Sequence, residues 1–386
     1  MPFAVYILGL ATFAQGTSEY MLSGLTPDIA RDLHVSIPLA GTLTSVFAVG
    51  MIIGAPLMAA VSMRWPRRRA LLTFLFVFFC SHVVSAVAHS FWVLLAMRAV
   101  GAVTNAGFLA VGLSTVTVMV DPNIRGRATS ILLSGVTVAC VVGVPAGAIL
   151  GEFWGWRSAF WAVSIVSMPA MVAIIRSVPV VAEATAHASA SQEIRALKRP
   201  QVVLTLLLAA SVNAATFCTF TYVAPLVVHV TRMGQSWVPA VLALFGLGAF
   251  MGANIAGRMA DARPLQVIEI GGVALLLGWI TFYFVATNMV ATLVLLFIQG
   301  TLWFAVGSTL VARVLEAATE APMLSGGFST AAFNVGAAIG PLVGGLAIDE
   351  GLGYRSPIWC SAFLMAVAFV VMGVFKRRDV SLTRQL

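Results

Sequence analysis

Phe47-Ala-Val-Gly50-Met-Ile-Ile-Gly54-Ala55 returns as Phe245-Gly-Leu-Gly248-Ala-Phe-Met-Gly252-Ala253, 198 residues later. Pro66 returns as Pro264 at the same offset. So does Trp156-Arg157-Ser158 with Trp161, as Tyr354-Arg355-Ser356 with Trp359. A constant offset at three separate places requires intervening loops of nearly equal length, so the chain is a tandem repeat. Each copy holds six apolar runs of about 20 residues, the length of a helix that crosses ~30 Å of hydrocarbon.

Composition agrees. The 386 residues are 60% hydrophobic and 9% charged, with a mean hydropathy of +1.00. A soluble domain of that balance would carry one continuous exposed apolar patch. The alternating polarity of an outer-membrane barrel is absent, so the spans are helices. The first run lacks a basic leader and outruns the apolar core of a signal peptide, so it reads as a retained span.

The apolar runs predict twelve helices near 3–25, 37–61, 70–89, 91–118, 127–150, 158–176, 201–228, 237–257, 266–286, 289–312, 324–347 and 356–375. Seventeen of the 22 Lys and Arg then fall on one side, four on the other, and Arg98 within a span. The positive-inside rule puts both termini in the cytoplasm of a cell (inner or plasma) membrane. This topology accounts for the net charge of +8 without nucleic acid. Residues 1–180 and 201–386 form two six-helix halves, related by a pseudo-two-fold axis along the membrane normal. Residues 181–200 form a cytoplasmic linker too short to bury a core.

Glu19 lies roughly 24 Å along the first helix, inside the hydrocarbon depth. An ionisable group there costs ~2.5–3.5 kcal/mol even on the lenient insertion scale, and normally faces a bundle interior or a cavity. Thr12, Gln15, Glu19 and Ser23 share one helical stripe. The competing reading is a glutamate that reaches the outer surface. Arg98 starts the fourth helix at a similar depth, and Asn105 shares its face. Carboxylate and guanidinium favour each other's charged forms, while desolvation opposes both. An arginine that merely snorkels outward is the alternative.

Several stretches resemble a known family. Met63-Arg64-Trp65-Pro66-Arg67-Arg68-Arg69 is similar to the cytoplasmic helix 2–3 loop of the major facilitator superfamily, with Met63 in place of its aspartate. Gly257-Arg-Met-Ala-Asp261 is the counterpart in the second half. In the family this loop helps to lock the inward gate, although a basic cluster that only sets topology would look alike. Arg98-Ala-Val-Gly101 is similar to the helix-4 motif. Gly143-Val-Pro145-Ala-Gly147 resembles the proline–glycine motif of the antiporters, with Gly340-Pro341 as its partner in the other half. The whole chain resembles a twelve-helix drug:proton antiporter. Within that group Gly16-Thr-Ser-Glu19-Tyr-Met-Leu-Ser-Gly24, Asn105-Ala-Gly-Phe-Leu-Ala-Val and Val141-Val-Gly-Val-Pro145 look like the chloramphenicol-resistance permeases.

The resemblance implies the major facilitator fold, a small-molecule drug and a proton as partners, a lipid bilayer around the chain, and a working monomer. The repeat adds an inference of its own. Glu19, Arg98 and Asn105 map onto Phe217, Leu296 and Trp303, and Gln15 onto Asn213. Ionisable groups at membrane depth are thus confined to the first half. The proton is expected on Glu19 with Arg98. The drug is expected against Phe217, Phe220, Tyr222, Trp303 and Phe333, with Gln15, Asn105, Asn213 and Asn334 as polar anchors. Ordinary packing or lipid contact would use the same aromatic residues.

Rocking of the halves would expose Glu19 alternately to each side. Export of an uncharged drug against a proton would draw on the membrane potential. No GxxxxGK[ST] is present and Lys198 and Lys376 are the only lysines, which excludes an ATP-driven pump. HExxH is absent, and Cys80, Cys140, Cys218 and Cys360 have no metal-ligand spacing, so no metal, cofactor or catalytic centre is expected. The chain does not read as an enzyme. The alternatives are an exporter of sugars, arabinose-like solutes or nucleosides on the same fold, and a polytopic receptor that transports nothing.

Overall fold

The computed structural model describes residues 1–62, 65–178, 200–259, 263–317 and 324–383. Helix dominates, because a backbone in hydrocarbon must satisfy its own N–H and C=O groups. The first rod is α1 (Phe3–Tyr20) continued by α2 (Leu22–Asp32), and then come α3 (Ile37–Ser62), α4 (Arg67–Ala86) and α5 (Phe91–Met119). The fifth rod is α6 (Arg125–Val138), a π-helical turn (Ala139–Gly143) and α7 (Val144–Trp154), followed by α8 (Arg157–Ser177). In the second half the seventh rod is α9 (Pro200–Phe220) with α10 (Val223–His229). After it come α11 (Val238–Met259), α12 (Pro264–Val285), α13 (Met289–Ala317), α14 (Leu324–Ala347) and α15 (Ser356–Thr383). These rods match the twelve expected from the apolar runs. Residues 179–199, which hold the expected linker, lie outside the described residues.

Ten of the described helices are long and apolar enough to cross a membrane. The first rod falls short because Gln15, Ser18 and Glu19 dilute it. Its polar residues mark it as a lining helix rather than a lipid-facing one. Large apolar side chains such as Phe76, Trp92, Ile165, Phe284 and Phe363 stand exposed on the outside of the bundle, as lipid contact requires.

Among the described residues two large apolar cores stand out, beside a small cluster of Phe47, Met51, Ala102 and Ala106. One is built wholly from residues 4–178, with Leu8, Met21, Phe74, Phe78 and Phe160 at its centre. The other centres on Phe217, Phe245, Trp279, Phe282 and Trp303, and accepts Ala48, Val144 and Ala148 from the first half. Within each half, small residues let one rod lie against another. A Cβ on Gly143 would stand 2.1 Å from Thr17 Oγ1 of α1, and one on Gly340 would stand 2.4 Å from the Ala214 carbonyl of α9. The proline–glycine stretches thus perform the same packing in both copies.

The seam between the halves joins α3 to α14, the fifth rod to α11, and α2 to α10. At the end remote from the chain termini, polar and aromatic side chains close the seam. Gln235 Nε2 donates to both carboxylate oxygens of Asp28, at 3.2 and 3.1 Å. Tyr222 fits between Gly41 of α3 and Gly345 of α14, and its hydroxyl donates to the Pro341 carbonyl at 2.8 Å. At the same end Arg157 Nη1 donates to Asp32 at 2.6 Å, and this bond holds the Asp32 carboxyl below the ordinary carboxylate range.

Candidate functional site

Glu19 is half-buried at the end of α1, two residues before the break at Met21. Beside it Arg98, only 1% exposed, extends from α5 toward α1. Arg98 Nη1 donates to the Ser18 carbonyl at 3.0 Å and to Ser18 Oγ at 2.8 Å. Its Cζ lies 4.2 Å above the centre of the Phe47 ring. Arg98 Nε and Nη2 have no hydrogen-bond partner among the described residues. The charges of Arg98 and Glu19 act on each other, yet neither described ion pair joins them. Arginine is therefore parked on the backbone and hydroxyl of the residue next to the glutamate, with two nitrogens open.

Gln15 lies one turn below Glu19, 1% exposed, and neither of its amide atoms has a partner among the described residues. Burying such an amide unsatisfied costs about 1–3 kcal/mol. Its repeat mate Asn213 contrasts with it. Asn213 Oδ1 accepts from Trp303 Nε1 at 3.0 Å, and Asn213 Nδ2 donates to the Phe333 carbonyl at 2.5 Å. Both ends of that amide are committed inside the second half. Asn334 Nδ2 donates to Thr330 of its own helix at 2.9 Å. Asn105 is buried on α5.

Aromatic residues of the second half meet α1 across the seam. Tyr20, next to Glu19, meets Phe217 at 5.8 Å between centroids. Phe217 in turn meets Phe220 and Trp303, each at 6.1 Å. Phe245 joins Phe220 at 4.5 Å and Trp303 at 5.6 Å. Four of the expected residues thus come together in the second half, Phe217, Phe220, Trp303 and the Asn213 amide, and Tyr20, the chain neighbour of Glu19, reaches them from the first. Phe333 packs against Gly307 of α13. Tyr222 does not join the cluster, because it belongs to the wedge at the remote end. Phe245 was not legible as a member, since it lies in an apolar run with nothing to mark it.

Two further residues escaped the sequence. Ser18 Oγ lies 2.6 Å from His82 Nε2 of α4, and His82 Nδ1 lies 2.8 Å from the Phe78 carbonyl. Arg64 and Asp261 lie outside the described residues. Gly257 falls in α11. Arg67 Nη1 donates to the Ser114 carbonyl at 2.7 Å, tying the helix 2–3 loop to the end of α5. Arg68 stands half-exposed beside it.

Residues 8–331 match the family model described as Major Facilitator Superfamily. The chain is 48% identical over 379 residues to a chloramphenicol resistance protein of Streptomyces lividans, covering 97% of each chain. It is 32% identical over 372 residues to the inner membrane transport protein YdhP of Escherichia coli K12, covering 96% of this chain and 95% of that one. A bacterial homologue of the human lysosomal transporter Spinster, solved inward-facing and occupied, has the same fold. The two superpose with a TM-score of 0.76 at 16% identity, over 97% of this chain and 96% of that one. With twelve helical rods in two similar halves and this match over most of its length, the chain belongs to the Major Facilitator Superfamily of multi-pass membrane transporters.

Proposed function

We propose that this transporter exports chloramphenicol, or a small amphipathic drug of the same kind, in exchange for protons. The unpartnered Gln15 amide, one turn from Glu19, carries the reading, and the Phe217–Trp303 pair of the second half supplies an aromatic wall. A buried amide with both ends open suits a ligand that brings its own donor and acceptor, and a ring wall suits an aromatic body. Chloramphenicol combines a nitro-aromatic ring with an amide and hydroxyls. The related protein of Streptomyces lividans supports the same substrate.

Glu19 takes the proton and Arg98 balances its charge. Glu19 releases its proton to the cytoplasm, drug binds between the halves, and the halves rock. Drug leaves on the far side and Glu19 is reprotonated. Both termini are cytoplasmic, so the end sealed by Tyr222 and the Gln235–Asp28 bonds is the outer one. The protein works as a monomer, with each half moving as a body.

Cells expressing the protein should accumulate less chloramphenicol than cells without it, and a protonophore should abolish the difference. Equal accumulation, with the protein present in the membrane, would remove the phenicol assignment and bring forward a sugar or nucleoside substrate.

A further inference from the structure

We propose that His82 is a positioning residue for the exchange. Acting through Ser18, it seats the Arg98 guanidinium beside Glu19. The inference rests on the exchange reading above.

The direction of each hydrogen bond carries the argument. The Phe78 carbonyl can only accept, so His82 Nδ1 is the donor at 2.8 Å. Nε2 is then the lone-pair nitrogen of a neutral ring and accepts from the Ser18 hydroxyl at 2.6 Å. With its proton directed at His82, Ser18 Oγ turns its lone pairs toward Arg98 Nη1, which donates at 2.8 Å. The chain Arg98 → Ser18 → His82 → Phe78 runs one way. An imidazolium in this place would point a second donor at Ser18 and stand next to a guanidinium.

Packing fixes the ring in that orientation. His82 is 3% exposed and lies between Phe78, at 4.1 Å between centroids, and Phe160 of α8, at 5.8 Å. On the α5 side the neighbour is Gly101, one turn from Arg98. A Cβ there would come within 3.2 Å of Ser81 Oγ and 3.6 Å of His82 Cε1. The glycine of the Arg98-Ala-Val-Gly101 stretch thus leaves room for α4 to bring the imidazole up. The charged group acting on His82 is Arg98 from α5, which in turn acts on Glu19 of α1, while α8 contributes Phe160. The second half has no such device, since Ser18, His82 and Arg98 map onto Thr216, Ile280 and Leu296.

The seat matters because Arg98 has two nitrogens still open. Held by Nη1 alone, the guanidinium can face a newly ionised Glu19 without leaving Ser18. Without the seat it would be free to close on the carboxylate and hold it, which would slow exchange.

Two measurements test this. In purified protein with ¹⁵N-labelled histidine, the signal lost in His82→Gln should report an Nδ1–H tautomer, and Ser18→Ala should shift it. An Nε2–H tautomer would overturn the seat whatever the transport activity. In vesicles, His82→Asn and Ser18→Ala should each slow drug–proton exchange about tenfold, the scale of one lost hydrogen bond to a charged group. They should displace its pH profile alike, and the double variant should be no slower than either. His82→Gln keeps an acceptor near the Nε2 position and should restore the wild-type profile. Additive losses, or a His82→Gln variant no better than His82→Asn, would reduce His82 to a packing role. No exchange by the wild type would instead overturn the function proposed above and leave the tautomer result standing.

Discussion

Gln15 and Asn213 hold equivalent places in the two halves, and what satisfies them differs. Asn213 bonds Trp303 and the Phe333 carbonyl, so it fixes the wall. The Gln15 amide has no partner among the described residues, which under the proposed function leaves it to a ligand. Gln15→Leu removes an unsatisfied amide and keeps the volume, so its thermal midpoint should not fall. Drug affinity should weaken by about tenfold, the worth of roughly one hydrogen bond. A destabilised Gln15→Leu protein that binds drug normally would contradict the anchor role. Glu19 and Arg98 were legible in the sequence because an ionisable group in an apolar run is costly whatever surrounds it. Ser18 and His82 were not. Serine is unremarkable in a helix, a lone histidine names no partner, and the contact joins residues 64 positions apart.

At the scale of elements, the lengths and order of the helices followed from the apolar runs, while their irregularities did not. The seventh rod breaks at Tyr222 (φ −109°, ψ 19°), and Pro225 is tolerated because it falls in the first turn of α10, where its N–H is not needed. The fifth rod swells into a π turn at Ala139–Gly143, just before Pro145. Proline denies the helix one donor, and the extra residue absorbs the mismatch. Proline signalled a bend, but the form of the bend depends on the helices packed against it. Both α1 and α11 pack on this turn, and on α11 a Cβ on Gly246 would stand 2.2 Å from the Cys140 carbonyl. Gly246→Ala must therefore push the halves apart at this point. It should fold and reach the membrane, yet lose most transport, with increased labelling of cysteines placed along the α7–α11 seam. Wild-type transport by Gly246→Ala would show that this close approach is dispensable.

Across the whole molecule, the repeat supplies a symmetric frame on which the chemistry is one-sided. Each half has its own core, and matched glycines pack the fifth rod on the first and α14 on α9. The ionisable site sits on α1 and α5 alone, and the matching places of the second half hold Phe217 and Leu296. Under the proposed function, such a division would let one half respond to the proton while the other shapes the drug site. Tyr20 against Phe217 is where the two responsibilities meet. This asymmetry was readable from the 198-residue offset, because it needs only the register of the two copies. The committed state of Asn213 and the remote position of Tyr222 were not, since both depend on contacts between helices. The most direct test of the account is proton flux driven by a chloramphenicol gradient in vesicles holding purified wild type or Glu19→Gln. The account predicts drug-driven flux in the wild type and none in Glu19→Gln, with drug binding retained in both. Undiminished flux in Glu19→Gln would contradict it.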